Sequence, residues 1–216
     1  MIDFDFLNSV EDKRASLKVT CPAGSPCIEP VMQPKYICPL GEIIARLNPK
    51  RYLAIGGLFG TLESYAMQCC GWNPEKIAVI DVDSAEYNPE RDSGAFLYSN
   101  ICGTRHSGFD GEFHYYRTDS QNILQGKIGT NSAMQFDCIF IDGQHSAEAV
   151  YKDISNAVWW LSKSGCLLIH DIQLEGNDVG VGFRRWREDH PYWHGVEIPH
   201  HLVLHGLGVL WNGKVQ

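Results

Sequence analysis

The sequence predicts an α/β fold: a doubly wound, mostly parallel sheet with helices on both faces, closed by a C-terminal antiparallel strand pair. Three observations predict it. Short apolar runs recur along the chain, too uniformly apolar for a sheet with one wet face. Segments with helical spacing separate them, as crossover connections require. Each run ends on or near a glycine or an acid, at Gly56, Asp81, Asp119, Asp142 and Asp171, the residue types expected where parallel strands open toward a ligand.

The elements follow in order. The first forty residues contain Pro22, Pro26, Pro30, Pro34 and Pro39 with few periodic apolar positions, so residues 1–39 read as an irregular arm and residues 40–216 as one domain. Leu40, Ile43, Ile44 and Leu47 have helical spacing, and the helix should stop near Asn48-Pro49. Tyr52 to Ile55 is a first strand ending in glycines. Leu62 to Cys70 is a helix closed by Gly71, and Ile77 to Ile80 is a second strand ending at Asp81. Residues 84 to 111 hold a helix and a glycine-rich loop. Phe113 to Tyr116 is a third strand, ending near Asp119. Cys138 to Ile141 is a fourth, followed by a helix from Ala147 to Leu161 that shows Val150, Ile154, Ala157, Val158 and Leu161 on one face. Cys166 to Ile169 is a fifth, ending at His170-Asp171. Gly180 to Asp189 is a last helix, and Leu202 to Leu204 with Gly208 to Trp211 would form the terminal antiparallel pair.

Composition narrows the function. A chain of 216 residues with 44% apolar content builds a sizeable core without staples. Its eight cysteines follow no secretory leader and form no C-x-x-C pair, which predicts reduced thiols in a cytoplasmic protein. No apolar run approaches the roughly 20 residues that span a bilayer. A formal net charge of −8 opposes a phosphate backbone. The expected partner is therefore a small molecule, with neither membrane nor nucleic acid, and a homodimer is compatible with this reading.

The strand ends carry the chemistry. Gly56, Gly57 and Gly60 stand where a strand turns into a helix and a ligand must approach the backbone. The segment departs from the dinucleotide fingerprint, because Leu58 replaces its second glycine, and no Gly-Lys-Ser/Thr follows to make a P-loop. An NAD-dependent oxidoreductase is accordingly disfavoured. Asp81 closes the second strand about 25 residues on, where a carboxylate accepts ribose hydroxyls; Asp83 is its rival, although Asp83 and Ser84 also suit a helix N-cap. In Phe136-Asp137-Cys138-Ile139-Phe140-Ile141-Asp142-Gly143-Gln144-His145-Ser146 an acid and an imidazole leave a buried strand together, and Ser146 caps the next helix. Gly165-Cys166-Leu167-Leu168-Ile169-His170-Asp171 repeats the arrangement. Asp142 and Asp171 can share a hard divalent cation, with His170 or His145 as a nearby ligand or base; helix capping by a polar rim is the plainer alternative.

These segments, together with Tyr52-Leu53-Ala54-Ile55-Gly56-Gly57-Leu58-Phe59-Gly60-Thr61 and Ile80-Asp81-Val82-Asp83, resemble the class I S-adenosylmethionine-dependent methyltransferases, and within them the small-molecule O-methyltransferase-like group. The resemblance spans roughly residues 40 to 211 and implies a Rossmann-like sheet. It implies that Gly56 and Gly60 pass the methionine part of the cofactor, Asp81 binds the ribose, and Asp119 with Ser120 meets the adenine edge. It places Asp142 and Asp171 at positions that hold a magnesium-like ion (Mg2+) in the metal-dependent branch, and makes His145 or His170 the base. Asp142 thus borders both cofactor and metal. Two residues depart from the family: Ala54 replaces an acid two positions before the first glycine, and Gln144 replaces a frequent acid. Both fit a second reading, a non-catalytic nucleotide-binding or interaction module on the same fold.

Other motifs point elsewhere only weakly. No Asn/Asp-Pro-Pro-aromatic motif follows the fourth strand, and the only Pro-Cys, Pro26-Cys27, precedes the glycine loop, so base-methylating classes are disfavoured. His190, His194, His200, His201 and His205 match no common zinc spacing. Trp159 and Trp160 read as packing, and Arg184, Arg185 and Arg187 as a solvated helix face.

Overall fold

The computed structural model describes residues 34–57, 60–81, 109–123 and 135–212. The expectations for residues 84 to 108, for Asp83 and for most of the arm lie outside the described residues. The elements are α1 (Pro34–Leu47), β1 (Arg51–Ile55), α2 (Thr61–Cys70), β2 (Lys76–Asp81), β3 (Glu112–Arg117), a 3-10 turn (Ser120–Asn122), β4 (Phe136–Ile141), α3 (Ala147–Trp160), β5 (Leu161–His170), α4 (Val179–Asp189), β6 (Trp193–Ile198) and β7 (Leu207–Asn212).

The uniformly apolar runs are explained by a sheet buried on both faces. Along β1, Tyr52 and Ala54 join one core with Leu40, Ile43 and Ile44 of α1 and Leu62, Tyr65 and Ala66 of α2. Leu53 and Ile55 join the other with Val150, Ile154 and Ala157 of α3 and Val179, Phe183 and Trp186 of α4. The same two-residue alternation divides Ile77 and Val79 from Ala78 and Ile80 on β2. Each helix therefore contributes one apolar stripe and each central strand contributes two.

The strand order is β3-β2-β1-β4-β5-β7-β6, with β1 to β5 parallel and β7 antiparallel to both β5 and β6. The chain builds outward from β1 to β3 and then returns to place β4 on the other side of β1. The order thus reverses between β1 and β4, and a ligand crevice is expected at their carboxyl ends.

Three boundaries differ from expectation. Helix α1 begins at Pro34, six residues inside the stretch expected to be irregular, and accommodates Pro39 in its interior. Strand β5 starts at Leu161, where the helix was expected to end, and its register against β4 shifts between Phe136 and Cys138. The partner of β7 is Trp193–Ile198 and not Leu202–Leu204. The N–H groups of Leu202 and Val203 both bond the Pro199 carbonyl, at 3.0 and 3.1 Å, so they are spent in a turn and unavailable to a ladder.

Candidate active site

The site is assembled at the reversal point. Gly56 follows β1 with φ +80°, and a β-carbon placed there would stand 2.1 Å from the carbonyl oxygen of Asp142. Only glycine permits both that backbone and that approach. Its N–H bonds the Ile80 carbonyl at 2.9 Å, while the Asp142 N–H bonds the Ile55 carbonyl at 2.8 Å; the loops after β1 and β4 are thereby locked together. Gly57 packs so closely on β2 that a β-carbon would lie 2.3 Å from Cγ1 of Val79. Gly60, with φ +65°, begins α2.

The acids and imidazoles after β4 and β5 converge. His145 Nε2 lies 3.4 Å from Oδ2 of Asp171 and 3.8 Å from Oδ1 of Asp142, whereas His170 Nδ1 faces the other oxygen of each, at 3.2 Å from Oδ1 of Asp171 and 3.4 Å from Oδ2 of Asp142. The two rings differ in exposure: the His145 side chain is 45% exposed and that of His170 only 4%. Asp171 has φ +62°, a backbone conformation that costs free energy in a non-glycine residue. Asp142, His170 and Asp171 offer three ligand atoms within 4.8 Å of one another, the one such group among the described residues.

Electrostatics follow from burial and proximity. Burial pushes the Asp142 carboxyl upward, but His145 and His170 outweigh it and hold the group well below the usual carboxylate range. Asp171 is raised, by burial and then by the Asp142 charge against the opposing histidines. The Asp142 hydrogen bond raises His145, with partial burial opposing it. Burial lowers His170, yet the two carboxylates prevail and its net shift is upward.

The remaining predicted residues have partners of their own. Asp81 ends β2, one register step beyond the Ile55 and Ile80 pair, and its carbonyl accepts the Thr118 N–H at 3.0 Å. Asp119 caps the 3-10 turn by accepting the Gln121 N–H at 2.9 Å. Ser120 donates to Asp153 on α3. Gln144 reaches sideways to accept from Gln121 at 3.2 Å, and Ser146 caps α3 as expected. Of the C-terminal histidines, His190 stacks on Trp186 and His194 on Trp211, while the charge of His205 acts on Asp171. Trp160 is buried while Trp159 is 62% exposed. Arg184 and Arg187 meet Glu197, and Arg185 meets Glu148. Cys138 and Cys166 are thiols outside any disulfide.

Sequence reasoning missed three groups. Asp153 lies on the buried stripe of α3 between Val150 and Ala157, and Glu63 shares the buried face of α2 with Ala66 and Met67. A charge on an apolar stripe was the available signal. The third, the Leu204 carbonyl beside His170 Nε2 at 3.2 Å, is a backbone group that no residue pattern announces.

Comparisons with known proteins bear on the family and the fold. The model of the methyltransferase-domain family matches residues 55–172, more than half of the chain. No curated protein matches in sequence. Among solved structures, the O-methyltransferase TomG from Streptomyces achromogenes, involved in tomaymycin synthesis and bound to SAM, has a TM-score of 0.62 at 18% identity, covering 98% of this chain and 99% of that one. An O-methyltransferase from Bacillus cereus bound to SAH has a TM-score of 0.56 at 14% identity, with 95% and 90% covered. A caffeoyl-CoA O-methyltransferase assigned in Staphylococcus aureus has a TM-score of 0.56 at 12% identity, with 98% and 92% covered. At these identities the likeness is one of fold. The chain belongs to the methyltransferase-domain family and shares the fold of these O-methyltransferases.

Proposed function

We propose that the protein transfers the methyl group of S-adenosylmethionine to a hydroxyl of a small molecule or sugar, with a divalent cation held at Asp142 and Asp171. One observation carries the proposal: Asp142 joins the two halves of the site. Its backbone abuts Gly56 of the glycine turn, and its carboxylate faces His145, His170 and Asp171. Cofactor and acceptor are thereby brought to one strand end.

The residues present fit both groups. The absent β-carbon at Gly56 lets the loop after β4 close against the glycine turn, where the cofactor's methionine part would lie, and Asp81 ends the adjacent strand, where a carboxylate serves ribose hydroxyls. Asp119 and Ser120, in the 3-10 turn, border the adenine side. The cofactor supplies an electrophilic methyl on a sulfonium, whose S–C bonding pair stays on sulfur as a thioether. A bound divalent cation would supply electrostatic stabilisation of negative charge developing on the acceptor oxygen.

The chain itself positions the partners and handles the proton. His145, its side chain half exposed at the rim, accepts the hydroxyl proton at Nδ1 as the oxygen attacks, because its Nε2 is turned to the Asp142 and Asp171 carboxylates. The Asp142 and Asp171 carboxylates orient that ring and stabilise the imidazolium it becomes. His170 cannot serve the same purpose, because its ring is buried and its Nε2 is directed at the Leu204 carbonyl.

Calorimetric titration with S-adenosylmethionine and S-adenosylhomocysteine, followed by a panel of hydroxylated acceptors assayed for S-adenosylhomocysteine release, tests the proposal. Micromolar binding that Asp81→Ala abolishes, and turnover with a hydroxylated acceptor, are expected. Binding without turnover across the panel would favour a non-catalytic module, and no binding at all would remove the methyltransferase reading.

A further inference from the structure

The two histidines beside Asp142 and Asp171 are not equivalent, and the carboxylate oxygens show how they differ. His145 contacts Oδ1 of Asp142 and Oδ2 of Asp171. His170 contacts the opposite pair, Oδ2 of Asp142 and Oδ1 of Asp171. Each carboxylate therefore turns one oxygen to the solvent-facing ring and the other to the buried ring.

On the buried side three acceptors, His170 Nδ1, Oδ2 of Asp142 and Oδ1 of Asp171, face one another whenever the ring is neutral. A carbonyl can only accept, so the 3.2 Å approach of His170 Nε2 to the Leu204 oxygen puts the hydrogen on Nε2. In the neutral ring Nδ1 is then a lone pair. Neither Nδ1 nor Oδ1 of Asp171 has a hydrogen-bond partner, and both are shut off from solvent. Buried polar atoms left unpaired cost about 1–3 kcal/mol each, and native proteins seldom leave them so without a ligand. Their separations of 3.2 and 3.4 Å are close to the roughly 3 Å between neighbouring ligands around an ion with bonds of about 2.1 Å.

We infer that His170 is a ligand of the cation through Nδ1, and that the site consequently selects a first-row transition-metal ion, such as Mn2+ or Co2+, over Mg2+. The inference rests on the proposed cation site at Asp142 and Asp171, and adds its third ligand and its metal class. Magnesium favours oxygen donors and keeps much of its water, whereas an imidazole nitrogen beside two carboxylates suits the borderline divalent metals. The ring is held for this purpose by its outer contact. The Leu204 carbonyl fixes the tautomer, and its loop is tied down by the Gln173 N–H on the His205 carbonyl at 2.7 Å and by the His200 N–H on Gln173 Oε1 at 2.8 Å. His145, on the other oxygens, stays available for the proton.

The test uses the full-length protein without cofactor. Mn2+ binding is followed by electron paramagnetic resonance, with Mg2+ as competitor, and nitrogen coordination by electron spin-echo modulation of bound Mn2+. One Mn2+ site with 14N modulation, and Mg2+ competing about 100-fold more weakly, is expected. The modulation should survive in His145→Ala and vanish in His170→Asp, whose all-oxygen set should lower the Mn2+ preference at least about tenfold. The wild-type spectrum needs no variant to fold. Absence of nitrogen modulation, or its loss in His145→Ala and retention in His170→Asp, overturns the inference while leaving the cation proposal standing. Failure of both Mn2+ and Mg2+ to bind the wild type overturns both.

Discussion

The Ser120 hydroxyl donates a 2.6 Å hydrogen bond to Oδ1 of Asp153, which is 1% exposed on the inner face of α3. Burial pushes the Asp153 carboxyl up to about 6, with the Ser120 bond working against that shift. Asn156 adds a contact to the Ser120 carbonyl at 3.4 Å, and the other Asp153 oxygen lies under Gly143, 3.4 Å from where a β-carbon would stand. One buried carboxylate therefore braces both the 3-10 turn and the loop after β4. Ser120→Ala leaves that charge without its donor at pH 8. The expected result is a loss of about 1–2 kcal/mol in stability and roughly tenfold weaker binding of S-adenosylhomocysteine, read by urea unfolding and calorimetry. An unchanged dissociation constant would detach this turn from the cofactor site.

Glu63 presents a second buried acid, and here the pH dependence has a definite sign. Its carboxyl is 2% exposed, accepts the Tyr52 hydroxyl at 3.1 Å, and is raised from 4.5 to about 7, chiefly by burial. The folded state thus holds its proton more tightly than the unfolded chain. Its contribution is fully present below about pH 4.5, declines as pH rises, and is lost above about pH 7, a difference of up to about 3 kcal/mol. Glu63→Gln keeps an oxygen for Tyr52 and cannot ionise. Urea unfolding should find the variant close to wild type at pH 5 and more stable by as much as about 3 kcal/mol at pH 8. Stability differences that do not change between those two pH values would show that Glu63 ionises in the folded protein as it does in water.

The sequence carried the sheet well because a strand covered on both faces leaves an unmistakable record: Tyr52 to Ile55 and Cys138 to Ile141 have no polar position at all. Their ends were legible for the same reason, since Asp142 and His170 interrupt runs that are otherwise apolar. What failed depended on pairing. Trp193–Ile198 contains His194, Gly195 and Glu197 and is only partly buried, so its strand character comes from the ladder with β7 and not from its own residues. The brace at Asp153 and the tautomer lock at Leu204 were invisible because each depends on a partner 33 or 34 positions away, which residue types alone do not supply.

Gly56 gives a direct test of the close approach at the reversal point. In Gly56→Ala the new methyl must stand 2.1 Å from the Asp142 oxygen on a backbone with φ +80°, so β1 and β4 have to part. Overpacking and backbone strain together predict destabilisation of about 3 kcal/mol or more and loss of S-adenosylmethionine binding. Thermal unfolding and calorimetry measure both. Retention of wild-type affinity would mean that the cofactor does not lie against this turn.

His145 separates binding from chemistry. Its side chain is half exposed, and it meets Asp142 and Asp171 at 3.8 and 3.4 Å without contributing to the apolar cores. His145→Ala should therefore fold normally and bind S-adenosylhomocysteine as tightly as wild type. As the group that takes the acceptor proton at Nδ1, its removal should lower kcat by about 10²–10⁴, with partial recovery on adding free imidazole, since the vacated rim is open to solvent. Equal losses in cofactor affinity and turnover would assign His145 to holding the site together. Unchanged turnover would leave deprotonation to the cation and its carboxylates.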